Sequence, residues 1–357
     1  MKVSIGSKIV KGPWGGGNLF AINLKNYLEN KGIDVVTDLD DDDIDIILMT
    51  EPRFTSPSSA YTHLDVNKYL NFVKRDSIVV HRVNECDEKR IDPNKKTRNK
   101  HFVNKYIIGA NKSADFTVFV SSWLKDLYLE QGINSKQYMV ILSGSDKNIF
   151  NRKNIIKWNK EDPLKVVTHH WGANWNKGFK FYLKLDKLIE ENIFDHSLQF
   201  SYIGNIPEDI NLKNTDLVHP LYGQELAEKI KEHHLYITGS INEPSGNHHI
   251  EAAQCGLPIL YINSGGIPEY CDGYGEVFDD TNFKEKLEAI INNYDLHFEN
   301  LKKYDKDSNN MCDEYFTLFR DLLERKNQVL DSRDMNFNNS KISKKIYNFK
   351  KDILSNF

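Results

Sequence analysis

The sequence predicts an α/β protein of two tandem domains, each a parallel β-sheet covered by helices on both faces. Three observations carry this. Short apolar runs alternate with amphipathic helical stretches over residues 3–142, and the alternation starts again at residue 164. A polar, irregular stretch opened by Ser143-Gly144-Ser145-Asp146 separates the two series. At 357 residues the chain is too long for one ordinary domain and sufficient for two, each with its own core.

The first domain opens as strand, glycine loop and helix: residues 3–10 are apolar, Gly15-Gly16-Gly17 forms the loop, and residues 19–30 read as a helix stopped at Gly32. Further strands are expected at 44–49, 78–83, 116–120 and 138–142, with helices at 66–74 and 122–131. Residues 147–158 read as the linker. The second domain is expected to place strands at 164–169, 200–203, 235–238 and 259–262, and helices at 178–191, 224–233, 248–255 and 282–293. The expected domains are therefore 1–147 and 148–327, with a polar, then basic tail over 328–357 that packs back on the first.

Composition narrows the function classes. A net charge of -4 argues against nucleic acid as a partner. Cys86, Cys255, Cys271 and Cys312 are scattered without a C-x-x-C pair, which suggests a reducing compartment and no metal or disulfide framework. The start lacks the apolar run of a signal peptide, and no stretch of about 18 apolar residues occurs. The expectation is a cytoplasmic protein. Residues 342, 346, 349 and 353 form an apolar stripe flanked by lysines, and residues 89–105 carry seven Lys or Arg. Both could support peripheral contact with the inner membrane face, or simply pack on the first domain.

The most informative segment is Glu243-Pro-Ser-Gly-Asn-His-His-Ile-Glu251, followed by Ala-Ala-Gln-Cys255-Gly256-Leu-Pro258. Two carboxylates bracket a small-residue turn that opens a short helix. A helix N-terminus favours phosphate, and carboxylates accept from sugar hydroxyls. One segment could thus hold a sugar, a diphosphate and a ribose, which points to a nucleotide-sugar enzyme.

Residues 239–269 resemble the donor-binding signature of the retaining GT-B glycosyltransferases of family 4 (glycosyl transferases group 1). Glu243, Glu251, Gly256, Pro258 and Gly265-Gly266-Ile267-Pro268-Glu269 match that signature in order. Residues 120–132 and 141–150 resemble the family's helix and interdomain hinge. The resemblance implies the GT-B fold, two Rossmann-like α/β/α domains facing a central cleft. It implies a sugar transferred from a UDP- or GDP-sugar to an acceptor hydroxyl, with retention and without a metal or other cofactor. The acceptor would be a glycan, lipid-linked or protein hydroxyl, in cell-surface glycan or glycoconjugate synthesis.

By the resemblance, Glu251 holds the ribose, Glu243 meets the transferred sugar, and the backbone of Ser245, Gly246, Asn247 and His248 borders sugar and diphosphate. Lys177-Gly178 matches the family's Lys-Gly, the lysine neutralising the leaving diphosphate. The Arg expected about six residues earlier is replaced by Trp171, leaving His169, His170 and Asn174 as weaker donors there. Gly16 and Gly17 let the backbone approach the ligand closely; Phe20 breaks the G-x-G-x-x-G dinucleotide pattern. His81, Arg82 and Asn84 lie at the end of a strand whose C-terminal edge faces the expected cleft. Alternation forbids all three from facing it. The catalytic set is Lys177, Glu243 and His81. Asp40–Asp43 reads as a solvated loop rather than a metal site. Two other functions fit the same fold: a sugar-nucleotide 2-epimerase, and a catalytically silent nucleotide-sugar-binding subunit.

Overall fold

The computed structural model describes residues 1–333 except 11, 13, 14, 93–101, 136, 193 and 195. The first sheet contains β1 (Lys2–Ile5), β2 (Asp34–Val36), β3 (Ile46–Met49), β4 (Ile78–Val83), β5 (Phe116–Phe119) and β6 (Tyr138–Val140), ordered β2-β1-β3-β4-β5-β6. Its helices are α1 (Gly16–Asn30), α2 (His63–Phe72), α3 (Asp87–Arg90), α4 (Phe102–Asn111) and α5 (Ser122–Glu130). The second sheet contains β7 (Leu164–His170), β8 (Leu198–Gly204), β9 (Thr215–Val218), β10 (Leu235–Thr238), β11 (Ile259–Ile262) and β12 (Gly275–Phe278), ordered β12-β11-β10-β7-β8-β9. Around it run α6 (Phe179–Glu191), α7 (Gly223–Lys231), α8 (Asn247–Cys255), α9 (Ile267–Cys271), α10 (Phe283–Asn292) and α11 (Tyr294–Asn300).

Every pairing in both sheets is parallel. The central strands β3, β10 and β11 are buried along their whole length, as sheets covered on both faces require. Strand order reverses between β1 and β3 and between β7 and β10. Open α/β sheets bind ligands at the carboxyl ends of such reversals. The glycine loop follows β1, the Lys177 loop follows β7, and Glu243 follows β10.

The chain returns to the first domain earlier than residue 328. Helix α12 (Ser308–Glu324) is amphipathic, and it buries Met311, Cys312, Tyr315, Leu318 and Phe319 with Phe20, Leu24 and Leu28 of α1. Each such buried side chain contributes about 1.5–3 kcal/mol, so the apolar face of α12 decides its docking. The two crossings run side by side, with Ser308 N donating to Ser145 O at 2.8 Å and Ser145 N to Lys306 O at 3.3 Å. After α13 (Lys326–Asp331), Arg333 donates to both carboxylate oxygens of Asp115, at 2.7 and 2.6 Å. The basic apolar stripe at 342–353 lies outside the described residues. In the acidic loop, Asp41 and Asp43 hold the Lys2 ammonium at 2.8 and 2.7 Å. No group of His, Cys, Asp and Glu among the described residues has a metal-binding arrangement. No helix among them is long and apolar enough to cross a membrane.

Candidate active site

The second-domain half of the site begins where two loops touch. Gly178 has φ +78°, and a Cβ there would lie 1.9 Å from Gly239 O, so only glycine lets the β7–α6 loop approach the end of β10. Ile241 N donates to Asn176 O at 2.7 Å across the same contact. This contact sets the Lys177 ammonium 3.1 Å from Glu243 Oε2. Gly266 N donates to Glu243 O at 2.9 Å, so the Gly-Gly loop fixes the backbone of the same glutamate.

Glu243 is only 3% exposed. Burial alone would raise its pKa, but the charges of Lys177 and Lys89, with their hydrogen bonds, outweigh burial and hold it far below the usual carboxylate range. It is therefore an acceptor-only anion. It is not a proton donor at neutral pH.

Glu251, one helix further on, is also buried, and its Oε2 lies 2.9 Å from His169 Nε2. The hydroxyl of Tyr236 contacts the other nitrogen of that ring at 3.2 Å. The chain Tyr236–His169–Glu251 fixes the carboxylate's direction. Helix α8 starts at Asn247 with no side-chain cap, which leaves its first N–H groups available to a ligand. The first domain closes on this end: a Cβ on Gly16 would lie 3.1 Å from Asn247 Oδ1. Gly17 borders Asn84, whose Nδ2 would be 4.0 Å from a Cβ at that position.

Alternation along β4 sorts the three candidates there. Arg82 and Asn84 share the α1 side. His81 turns to the other, where its Nδ1 lies 3.1 Å from Asn111 Nδ2. Burial lowers its pKa to about 3, and the ring is enclosed beside Asn111 of α4. Arg82 is buried with its guanidinium 3.9 Å from the Phe20 ring centroid, and its Nε and Nη1 have no hydrogen-bond partner.

Two second-domain histidines also turn inward. His170 Nε2 contacts Tyr182 OH at 2.6 Å, and His248 Nε2 contacts Thr238 Oγ1 at 2.9 Å. His170 Nδ1 has no hydrogen-bond partner, and the backbone of His248 lies at the start of α8. Ser245, Gly246 and Asn247 are half-buried at that end, and Asn174 is exposed on the Lys177 loop.

Sequence reasoning did not reveal the cross-domain contacts of five groups. Lys89 reaches across from the first domain and sets its ammonium 2.7 Å from Glu243 Oε1. It was read only as part of a basic run. Asn242 Nδ2 donates to Glu88 O at 3.0 Å, and Trp175 Nε1 to Arg90 O at 3.3 Å, so α3 meets the second domain at three points. Glu269, read as a signature residue, accepts from Ser122 N at 2.8 Å and Trp123 N at 3.0 Å, capping α5 across the interface. Beside it, Tyr270 OH donates to Val120 O at 2.5 Å and accepts from Ser143 N at 3.0 Å. Only the three-dimensional fold brings these partners together, since Glu269 and Ser122 are 147 residues apart.

Residues 152–308 match the family described as Glycosyl transferases group 1. The match lies within the second domain and its return toward the first. No curated protein sequence matches the chain. Solved structures agree on the fold at low identity. Sucrose-phosphate synthase from Thermosynechococcus elongatus is similar with TM-score 0.59 and 13% identity, over 91% of this chain and 98% of that one. The lipopolysaccharide outer core galactosyltransferase WaaB gives TM-score 0.60 and 14% identity, over 91% of this chain and all of WaaB (100%). HepE from Anabaena, solved in complex with UDP and glucose, gives TM-score 0.55 and 14% identity, over 91% and 98% of the two chains. Two six-stranded parallel sheets with these neighbours make the fold GT-B.

Proposed function

We propose that the protein is a retaining, metal-independent glycosyltransferase of family 4 that moves a sugar from a UDP- or GDP-sugar to an acceptor hydroxyl. The observation that carries this is the pair Glu243 and Glu251, both buried, flanking the uncapped N-terminus of α8 opposite the Gly16 loop. Glu251 would take the ribose hydroxyls and Glu243 a hydroxyl of the transferred sugar. The N-terminal amides of α8 and the Lys177 ammonium would stabilise the charge that develops on the leaving diphosphate. The two lysines that keep Glu243 ionised also make it a very weak base, and His81 is buried, so neither is assigned as a general base. A diphosphate oxygen taking the acceptor's proton fits that arrangement. The UDP and glucose bound by the neighbour HepE favour a uridine nucleotide. A glycan, lipid-linked or protein acceptor in glycoconjugate synthesis, met in the cytoplasm or at the inner membrane face, suits such a donor.

The test is to incubate the protein with UDP- and GDP-sugars and an acceptor panel, and to read the product's anomeric configuration by NMR. The donor's own configuration is expected. An inverted product would overturn the retaining route. Conversion of a UDP-sugar without acceptor would identify the 2-epimerase, and binding without turnover the silent subunit.

A further inference from the structure

We infer that Lys89 is a donor-phosphate ligand, so that the positive charge facing the diphosphate is assembled from both domains. The inference rests on the nucleotide-sugar reading of the site. The second domain supplies one ammonium, Lys177, and Trp171 on the same loop is 55% exposed and carries no charge. Lys89 supplies another, from the opposite wall of the cleft. The two ammonium groups grip the two oxygens of one carboxylate, at 2.7 Å (Lys89) and 3.1 Å (Lys177) from Glu243. Their side chains are 25% and 13% exposed, and the carboxylate's 4%.

Two cations this close repel unless an anion lies between them. With no nucleotide bound, Glu243 is that anion. A diphosphate carries more charge than one carboxylate and is the natural ligand for the same pair. Without Lys89, the ammonium of Lys177 would be neutralised by Glu243 and little positive charge would face the leaving group.

The placement of Lys89 is built, not incidental. Its helix α3 is pinned to its own domain by Asp87, whose carboxylate accepts from Val103 N at 3.1 Å and Asn104 N at 3.0 Å. Tyr128 OH donates to Glu85 O at 2.8 Å just before the helix. From the other side, Asn242 and Trp175 hold the carbonyls of Glu88 and Arg90. The residue between those two carbonyls is Lys89. Opening of the cleft would withdraw it, so donor-phosphate affinity is coupled to domain closure.

The test uses the full chain and isothermal titration with UDP, GDP and ADP, and with uridine, guanosine and adenosine as phosphate-free controls. Lys89→Met should weaken binding of the preferred nucleoside diphosphate roughly tenfold, the usual loss of one charge-assisted hydrogen bond, and leave the matching nucleoside unchanged. Lys89→Arg, which keeps the charge, should retain most of the affinity. A diphosphate affinity unmoved by Lys89→Met would overturn the inference. So would an equal loss for diphosphate and nucleoside, since that is the signature of a structural role. If the wild-type chain bound none of the three diphosphates, the nucleotide-sugar reading itself would fall, and this inference with it.

Discussion

Glu243→Gln should tighten the binding of free UDP or GDP while slowing sugar transfer. In the unliganded protein the carboxylate occupies both lysines, at 2.7 and 3.1 Å. At about 3 Å and an effective dielectric of about 20, each such pair has a Coulomb attraction of about 5 kcal/mol, most of it offset by the desolvation of the ions. Partial exposure of both lysines lowers the net further, to about 1–2 kcal/mol that an incoming diphosphate must overcome. Glutamine has the same shape and no charge, so that competition disappears. The expected gain is about tenfold in affinity, shrinking as salt is raised. Transfer should fall, because glutamine is a weaker acceptor than a carboxylate for a sugar hydroxyl. Isothermal titration of wild type and variant at two ionic strengths measures the first effect and donor turnover the second. Equal or weaker nucleotide binding by a variant with native circular dichroism would refute the view that Glu243 stands in for the ligand's charge.

Three further outcomes are expected. Glu251→Ala should weaken nucleotide binding about tenfold by titration, the loss of a hydrogen bond to a charged group; unchanged affinity would move the ribose elsewhere. Burial lowers the pKa of His81 and His249 to about 3 and of His233 and His234 to about 4, and that of His170 and His248 as well. Because these folded values lie below the unfolded value of about 6.5, the stability is fully present above pH ~6.5 and is lost progressively as pH falls toward 3, by up to about 2 kcal/mol per buried histidine at pH 5. Urea midpoints at pH 7.5 and 5 would show it, and equal midpoints would contradict it. Glu269→Gln removes the anion that caps α5 from the other domain, and should weaken domain docking by about 1–2 kcal/mol. Small-angle scattering should then report a larger radius of gyration; an unchanged radius would mean that other contacts hold the cleft.

Much of the fold was legible because its signals are local. Strands Ile78–Val83, Leu235–Thr238 and Ile259–Ile262 coincide with apolar runs bounded by polar or turn residues. Strands at or near sheet edges were harder to see. Thr215–Val218 is half-exposed and too short for its pattern to stand out. Helix α12 was missed as a first-domain element because its partner face on α1 is almost 300 residues away; Tyr27 OH donates to Asp313 over 286 residues.

Within the site, Glu243, Glu251 and Lys177 were readable from short motifs, since each depends on a turn encoded beside it. Lys89 was not, because nothing near it in sequence marks a lysine that reaches another domain. Which face of the strand His81 occupies is set by packing that the run Ile-Val-Val-His-Arg-Val does not reveal.

The most direct test of the account is a thermal-shift panel of UDP, GDP, ADP and their sugars, with and without EDTA. A ligand at 100 times its dissociation constant should stabilise the fold by about 2.7 kcal/mol. Stabilisation by one nucleotide and its sugar, unchanged by EDTA, is the predicted result. No stabilisation by any of them, or stabilisation abolished by EDTA, would contradict a metal-independent nucleotide-sugar site in this cleft.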